Sequence, residues 1–184
     1  GGTISIAAGR LSFTLGVQGM CISYDTACSS GLIALHGGLS AKLTSECTTA
    51  LTLAVSLMLS PQTHGLYARA GMLSADGRCK TFDRRANGYA RGEGVGAVAL
   101  CDGRTENATG LNVIRVRSDG KSASLTAPNG TAQARMIGAA VAMAGGAPLG
   151  LIEAHGTGTP LGDPTEVGGL ERAVGAAAPC MGGV

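Results

Sequence analysis

Tryptophan is absent from this sequence, and aromatic residues of any kind are few, with two phenylalanines and three tyrosines in 184 residues. That scarcity argues against the stacked aromatic platforms on which single-stranded nucleic acids are held. Charged residues are sparse as well, at 14%, the formal net charge is +2, and no Lys/Arg-rich run occurs. A basic footprint for a phosphate backbone is therefore missing, and no nucleic-acid partner is expected. No uninterrupted apolar stretch reaches the roughly 18 residues of a membrane-spanning helix, and no signal-peptide layout opens the chain. The six cysteines, at 21, 28, 47, 79, 101 and 180, form no C-x-x-C pair and no Cys/His ligand spacing. No metal is expected on that pattern. Free thiols in a reducing, cytoplasmic compartment are the simpler reading. The chain begins at Gly1 rather than methionine, so organellar targeting stays open.

What is abundant is glycine, 31 residues, clustered beside turn residues rather than in a collagen-like period. Hydrophobic residues make up 45%. Together these point to a globular fold with many tight turns and close backbone approaches. Residues 21–25 read as a short β-like run, followed by a small-residue turn over 26–30. Leu32, Leu35, Leu39 and Leu43 then recur at helical spacing, although Gly37 and Gly38 each cost a helix about 1 kcal/mol. An apolar strand is expected over 51–59, stopped by Pro61, and a long structured loop over 71–96. Further strands are expected over 95–101, 111–117 (after a polar turn at 105–110) and 149–154. Residues 131–144 read as a helix with Met136, Ile137, Ala140, Val141 and Ala144 on one face. A last helix has Asp163 as its N-cap, Pro164 at its first position and Glu166 at its third, with Gly175 ending it. Strands alternate with helices, which favours a layered α/β architecture.

Three segments carry candidate chemistry. In Asp25-Thr26-Ala27-Cys28-Ser29-Ser30 a cysteine stands at the start of a helix. Unpaired N–H groups and the positive end of the dipole there stabilise a thiolate and an oxyanion. From spacing alone the same residue reads as a small buried hydrophobe, the usual fate of a free cysteine. In Glu153-Ala154-His155-Gly156-Thr157-Gly158-Thr159-Pro160 a histidine leaves a strand end into a Gly/Thr turn. It can donate to a developing oxyanion or enolate, or serve only as a loop residue. His36, within the first helix, and His64, in a loop beside Pro61, read as structural or exposed. In Arg91-Gly92-Glu93-Gly94-Val95-Gly96 the glycines precede a strand, whereas a dinucleotide loop has a strand before them and a helix after. A phosphate loop is thereby set aside.

Taken together, these segments resemble the ketosynthase domains of type I polyketide synthases, within the thiolase-like superfamily. The matching runs are Ala8-Gly9-Arg10-Leu11-Ser12, Asp25 to Ser30, Met72-Leu73-Ser74 with Asp76-Gly77-Arg78-Cys79-Lys80-Thr81-Phe82-Asp83, Gly88-Tyr89 with Arg91-Gly92-Glu93-Gly94, Leu125-Thr126-Ala127-Pro128-Asn129-Gly130, and Glu153 to Glu166. They occur in the family's order over nearly the whole chain. The Leu125 to Gly130 run is closer to polyketide synthases than to animal fatty-acid synthase. The resemblance implies a thiolase-like α-β-α-β-α fold, incomplete here. Residues 1 to about 110 would belong to its N-terminal half and about 111–184 to its C-terminal half.

It also implies a decarboxylative Claisen condensation of polyketide or fatty-acid type. Cys28 would accept an acyl chain, and His155 would match the first of two family histidines that stabilise the enolate. Thr157 and Thr159 would match hydroxyls that hold the pantetheine arm, and Glu166 an acidic position that pairs with a later lysine. The implied partners are an acyl carrier protein with its phosphopantetheine arm, acyl and malonyl thioesters, and a second copy in a homodimer. No tightly bound cofactor is implied.

Gly31 and Met20 depart from the family's common serine and proline. The family's second histidine follows the strand matching residues 181–184, beyond the last residue given. The expectation is a fragment of a larger gene product, inactive and unstable by itself. Alternatives are a non-condensing homologue that only decarboxylates or gates, a dimerisation or carrier-docking scaffold, and a cysteine hydrolase releasing free acid.

Overall fold

The computed structural model describes residues 3–103, 108–124, 126–175 and 180–183. Its elements are α1 (Ala7–Leu15), α2 (Ser30–Leu43), β1 (Ala50–Ser56), α3 (Pro61–Arg69), β2 (Gly94–Leu100), α4 (Gly130–Met143), β3 (Leu151–Ala154), α5 (Gly162–Val174) and β4 (Cys180–Gly183). They fall into two compact units. One comprises Gly1–Leu57 with Glu93–Gly110, the other Met58–Gly92 with Leu111–Val184.

In the first unit β1 and β2 pair antiparallel, Ala50 opposite Leu100 and Ser56 opposite Gly94. Helix α2 packs on the face presented by Ala50, Thr52 and Ala54. The paired glycines that weaken α2 as an isolated helix are what allow this packing. A β-carbon on Gly38 would lie 2.7 Å from Thr52 Cγ2, and one on Gly37 would lie 2.5 Å from the Tyr24 hydroxyl. Tertiary contact thus offsets the local propensity penalty. Side chains alternate across a strand, so Leu51, Leu53, Val55 and Val95 point away from α2, and all four are exposed.

In the second unit β3 and β4 pair parallel, Leu151 opposite Cys180 and Ala154 opposite Gly183. Helices α4 and α5 pack together, burying Ala132 and Leu170. Asn129 caps α4, its side-chain oxygen accepting from the N–H groups of Thr131 (3.2 Å) and Ala132 (3.1 Å). This satisfies two of the donors that a helix start leaves unpaired.

Several expectations need correction. Residues 21–25 and 111–117 are irregular backbone, not strands. A strand is made by a hydrogen-bonded neighbour, and among the described residues none lies beside either segment. The strand ends at Ser56, short of Pro61, which instead opens α3 at the first turn, where a missing N–H costs nothing. His64 therefore lies on a helix rather than in a loop. Helix α1 was not anticipated, since its Gly9 and missing side-chain cap hide it. Helix α5 starts at Gly162, two residues earlier than expected, so Asp163 lies inside the helix and is not its N-cap. The α2, β1, β2, α4, β3 and α5 assignments otherwise hold to within a few residues, and Gly175 does terminate α5. Residues 104–107 of the expected polar turn, Leu125 of the Leu125 to Gly130 run and Val184 lie outside the described residues.

The buried apolar set among the described residues is small: Ala41, Ala132, Ala154 and Leu170. Larger side chains stay open to solvent, including Phe13 at 90%, Leu59 at 83% and Val95 at 77% exposure. Such surface drives association. Residues 1–184 expressed alone are expected to aggregate, or to melt without a cooperative transition. A monodisperse preparation with a sharp sigmoidal melt would show otherwise.

Candidate active site

In the first unit the chain enters α2 through a tight 3-10 turn, Ala27–Ser29. Ala27 takes φ 56°, the left-handed region, which costs a residue with a β-carbon roughly 1–2 kcal/mol. The neighbouring hydroxyls hold this turn. The Thr26 N–H donates to Ser30 Oγ (2.8 Å), and Ser30 Oγ donates to the Ala27 carbonyl (2.8 Å). Ser29 Oγ donates to the Thr26 carbonyl (3.0 Å) and lies 2.8 Å from Thr26 Oγ1. The Ala27 N–H donates to Asp25 Oδ1 (3.3 Å). Three hydroxyls are thereby spent on the elbow, and Cys28 is left exposed at its apex, beside the positive end of α2. Gly31 faces β1 at close range: a β-carbon there would lie 3.1 Å from Ala54 Cβ.

In the second unit β3 ends at buried Ala154 and delivers His155, exposed, into the turn. Glu166, on α5, reaches back to this turn with both oxygens. Oε1 accepts from the His155 N–H at 2.7 Å and Oε2 from the Gly156 N–H at 2.9 Å. This replaces the capping box expected of Glu166, because the helix begins too early for that geometry. The Thr157 and Thr159 hydroxyls lie 3.1 Å apart, and Thr159 Oγ1 also accepts from the Gly162 N–H at 3.0 Å. Both threonines are half-buried.

A second loop braces the turn from the side. Residues 72–92 are mostly irregular, stapled by a Leu73–Tyr89 bridge and by a Ser74, Asp76, Lys80 and Asn87 cluster. There the Lys80 ammonium, helped by Ser74, holds the Asp76 carboxyl well below the usual carboxylate range. From this loop Thr81 Oγ1 donates to the Gly156 carbonyl (2.5 Å), and the Gly88 N–H donates to the Gly158 carbonyl (2.8 Å). Gly88 has φ 120°, and a β-carbon there would lie 2.6 Å from the Met72 carbonyl oxygen and from Leu73 C. Both obstacles are backbone and cannot step aside. Gly88→Ala is expected to destabilise the domain by about 3 kcal/mol or more, summing strain and overpacking. Denaturant melts of the parent protein check this, and a midpoint unchanged from wild type would refute it.

The structure thus gathers His155, Thr157, Thr159 and Glu166 in the second unit, while Cys28 belongs to the first. Sequence reasoning missed Asp163 as a site residue. Its Oδ1 accepts from the Gly158 N–H (2.9 Å) and its Oδ2 from the Phe82 N–H (2.8 Å). Helix punctuation drew attention to Asp163 only as an N-cap, and nothing local marks Phe82. Arg91 stacks over the Tyr67 ring at 5.1 Å; of the glycines that follow, only Gly92 precedes β2, while Gly94 and Gly96 lie within it. Chemically, the arrangement offers a thiol on a strained helix-start turn and an imidazole on a turn fixed by a bidentate carboxylate. Among the described residues no cluster of three or more His, Cys, Asp or Glu could hold a metal ion. No helix among them is long and apolar enough to cross a membrane.

Comparison with known proteins adds to this geometry. The family model "Beta-ketoacyl synthase, N-terminal domain" matches residues 1–106, and "Beta-ketoacyl synthase, C-terminal domain" matches residues 109–183. Phenolphthiocerol synthesis polyketide synthase type I Pks15/1 of Mycobacterium bovis is 46% identical over 97% of the chain. Polyketide synthase GfsA of Streptomyces halstedii is 47% identical over 92% of it. The chain spans only 9% and 2% of those two relatives' lengths. Among solved structures, the oxazolomycin ketosynthase domain OzmH KS7 of Streptomyces albus superposes with a TM-score of 0.87 at 35% identity. All of this chain and 35% of that one are covered. The ketosynthase from module 6 of the bacillaene synthase of Bacillus subtilis also gives 0.87, at 36% identity over 99% of this chain and 35% of its own.

Proposed function

Because the chain belongs to the β-ketoacyl synthase family and has the mixed α/β, thiolase-like fold of its ketosynthase domains, we propose that it forms part of a condensing acyltransferase of a polyketide synthase. The Cys28 thiolate attacks the carbonyl of an acyl thioester and expels the donor thiol. This leaves the acyl group on sulfur and splits one difficult step into two easier ones. A malonyl thioester on a carrier's phosphopantetheine arm then loses CO2, and the electron pair passes into an enolate. His155 donates a hydrogen bond to the enolate oxygen, where charge develops. The enolate carbon attacks the Cys28 thioester, forms the carbon–carbon bond and expels the thiolate, leaving a β-ketoacyl group on the carrier. Thr157 and Thr159 offer hydroxyls to the pantetheine arm, and Glu166 fixes the backbone from which His155 projects. A carrier protein, a homodimeric parent and a second histidine downstream complete this reading, with the two halves of the fold meeting near residue 110.

The observation that supports it most directly is the exposed Cys28 on a strained turn at the start of a 14-residue helix. The test is to incubate the full-length parent with an acyl thioester and a malonyl carrier, and to analyse the product. A β-ketoacyl carrier supports the proposal. Malonyl decarboxylation without a new carbon–carbon bond indicates the non-condensing alternative, and free acid indicates a hydrolase.

A further inference from the structure

Asp163 is 4% exposed and is the one charged residue buried among those described. Both of its carboxylate oxygens are used, and both partners are backbone N–H groups in left-handed conformations: Gly158 at φ 66° and Phe82 at φ 59°. For Phe82, a bulky residue, that conformation is a genuine outlier, and it persists only where surroundings hold it. A charge-assisted bond to the buried carboxylate supplies such a hold. Three residues further along α5, Glu166 takes the His155 and Gly156 N–H groups. The first turns of one helix therefore grip the His155 turn at both ends, and Asp163 alone also grips the neighbouring loop. That loop returns a third tether, from Thr81 to the Gly156 carbonyl, and the Phe82 ring lies against Gly156.

From this geometry we infer that Asp163 is a positioning residue: it locks the Thr81–Phe82 strap onto the 155–159 turn, and the lock sets where His155 presents its imidazole. The inference rests on the proposed ketosynthase chemistry, in which His155 serves decarboxylation while Cys28, in the other unit, serves acylation. The two steps therefore respond differently. Asp163→Asn keeps the shape, but its amide group turns a donor toward one of the two N–H groups, so one tether is lost.

In the full-length parent, malonyl-carrier decarboxylation by Asp163→Asn is expected to fall about 10- to 100-fold, as small misplacements do. Cys28 acylation by a small acyl thioester that lacks a pantetheine arm should be little changed. A residue needed only for folding would lower both steps together. Thr81→Val removes the third tether by replacing the hydroxyl with a methyl of similar size, and it should move the same ratio in the same direction by a smaller factor. It decides the matter if Asp163→Asn does not accumulate as folded protein. A wild-type ratio of decarboxylation to acylation in the folded variants overturns the inference, as does an equal fall in both steps. A wild-type parent that performs neither step overturns the ketosynthase reading itself.

Discussion

Alanine in place of Cys28 in the full-length parent is expected to abolish covalent acyl capture, leaving no acyl adduct on this segment by mass spectrometry. Condensation should fall by about a thousandfold or more, the scale seen when a nucleophile is removed from a catalytic set. The elbow should survive the change. The left-handed Ala27 is held by Thr26, Ser29, Ser30 and Asp25, and none of those bonds uses the cysteine sulfur. Stability should therefore stay near wild type, which separates loss of chemistry from loss of fold. The other described cysteines, at 21, 47, 79 and 101, serve as internal controls. None of them sits on a left-handed turn at a helix start. Undiminished acylation in Cys28→Ala, with the adduct on another cysteine, would sink the assignment of the nucleophile.

His155→Ala is expected to give the second large effect, on the other step. Losing a positioned donor to the enolate oxygen should slow malonyl-carrier decarboxylation by about 10²- to 10³-fold. Acylation of Cys28 should remain within a few-fold of wild type, because that step needs the thiolate and its oxyanion donors. His155→Asn, which retains an N–H donor, should recover part of the loss. Release of CO2 and the conversion of malonyl to acetyl carrier report the rate directly. A wild-type decarboxylation rate in His155→Ala would remove the histidine from the reaction. An equal loss of acylation would instead point to a damaged fold.

The placement of both candidates, at a helix start and at a strand end, was legible from short-range pattern. Cys28 stands before Leu32, Leu35, Leu39 and Leu43, whose spacing announces a helix, and α2 does begin at Ser30. His155 follows a short apolar run, and β3 does end at Ala154. Glu166 was read at a capping-box position that the start of α5 at Gly162 takes away. Helix-start patterning assigned it to its own helix, whereas its carboxylate goes to the turn that carries His155. Where no local signal exists, the reading failed. Residues 111–117 have the composition of a strand, yet among the described residues no strand pairs with them. Residues 61–69 looked like a loop because the proline was read as a stop rather than a start.

The amino-acid order by itself determined the family, most of the helices and strands, and the two residues that carry the proposed chemistry. All of these depend on neighbours a few positions away, through helical and strand periodicity, or on side chains whose chemistry is intrinsic. Only the tertiary structure decided what the glycines of α2 are for, that the Phe82 backbone is left-handed, and that Asp163 holds it. Those features depend on partners far along the chain: Asp163 and Phe82 are 81 residues apart, and Thr81 and Gly156 are 75 apart. Such bonds form only when the packed chain excludes water from a carboxylate and two N–H groups at once, and no local pattern encodes that meeting.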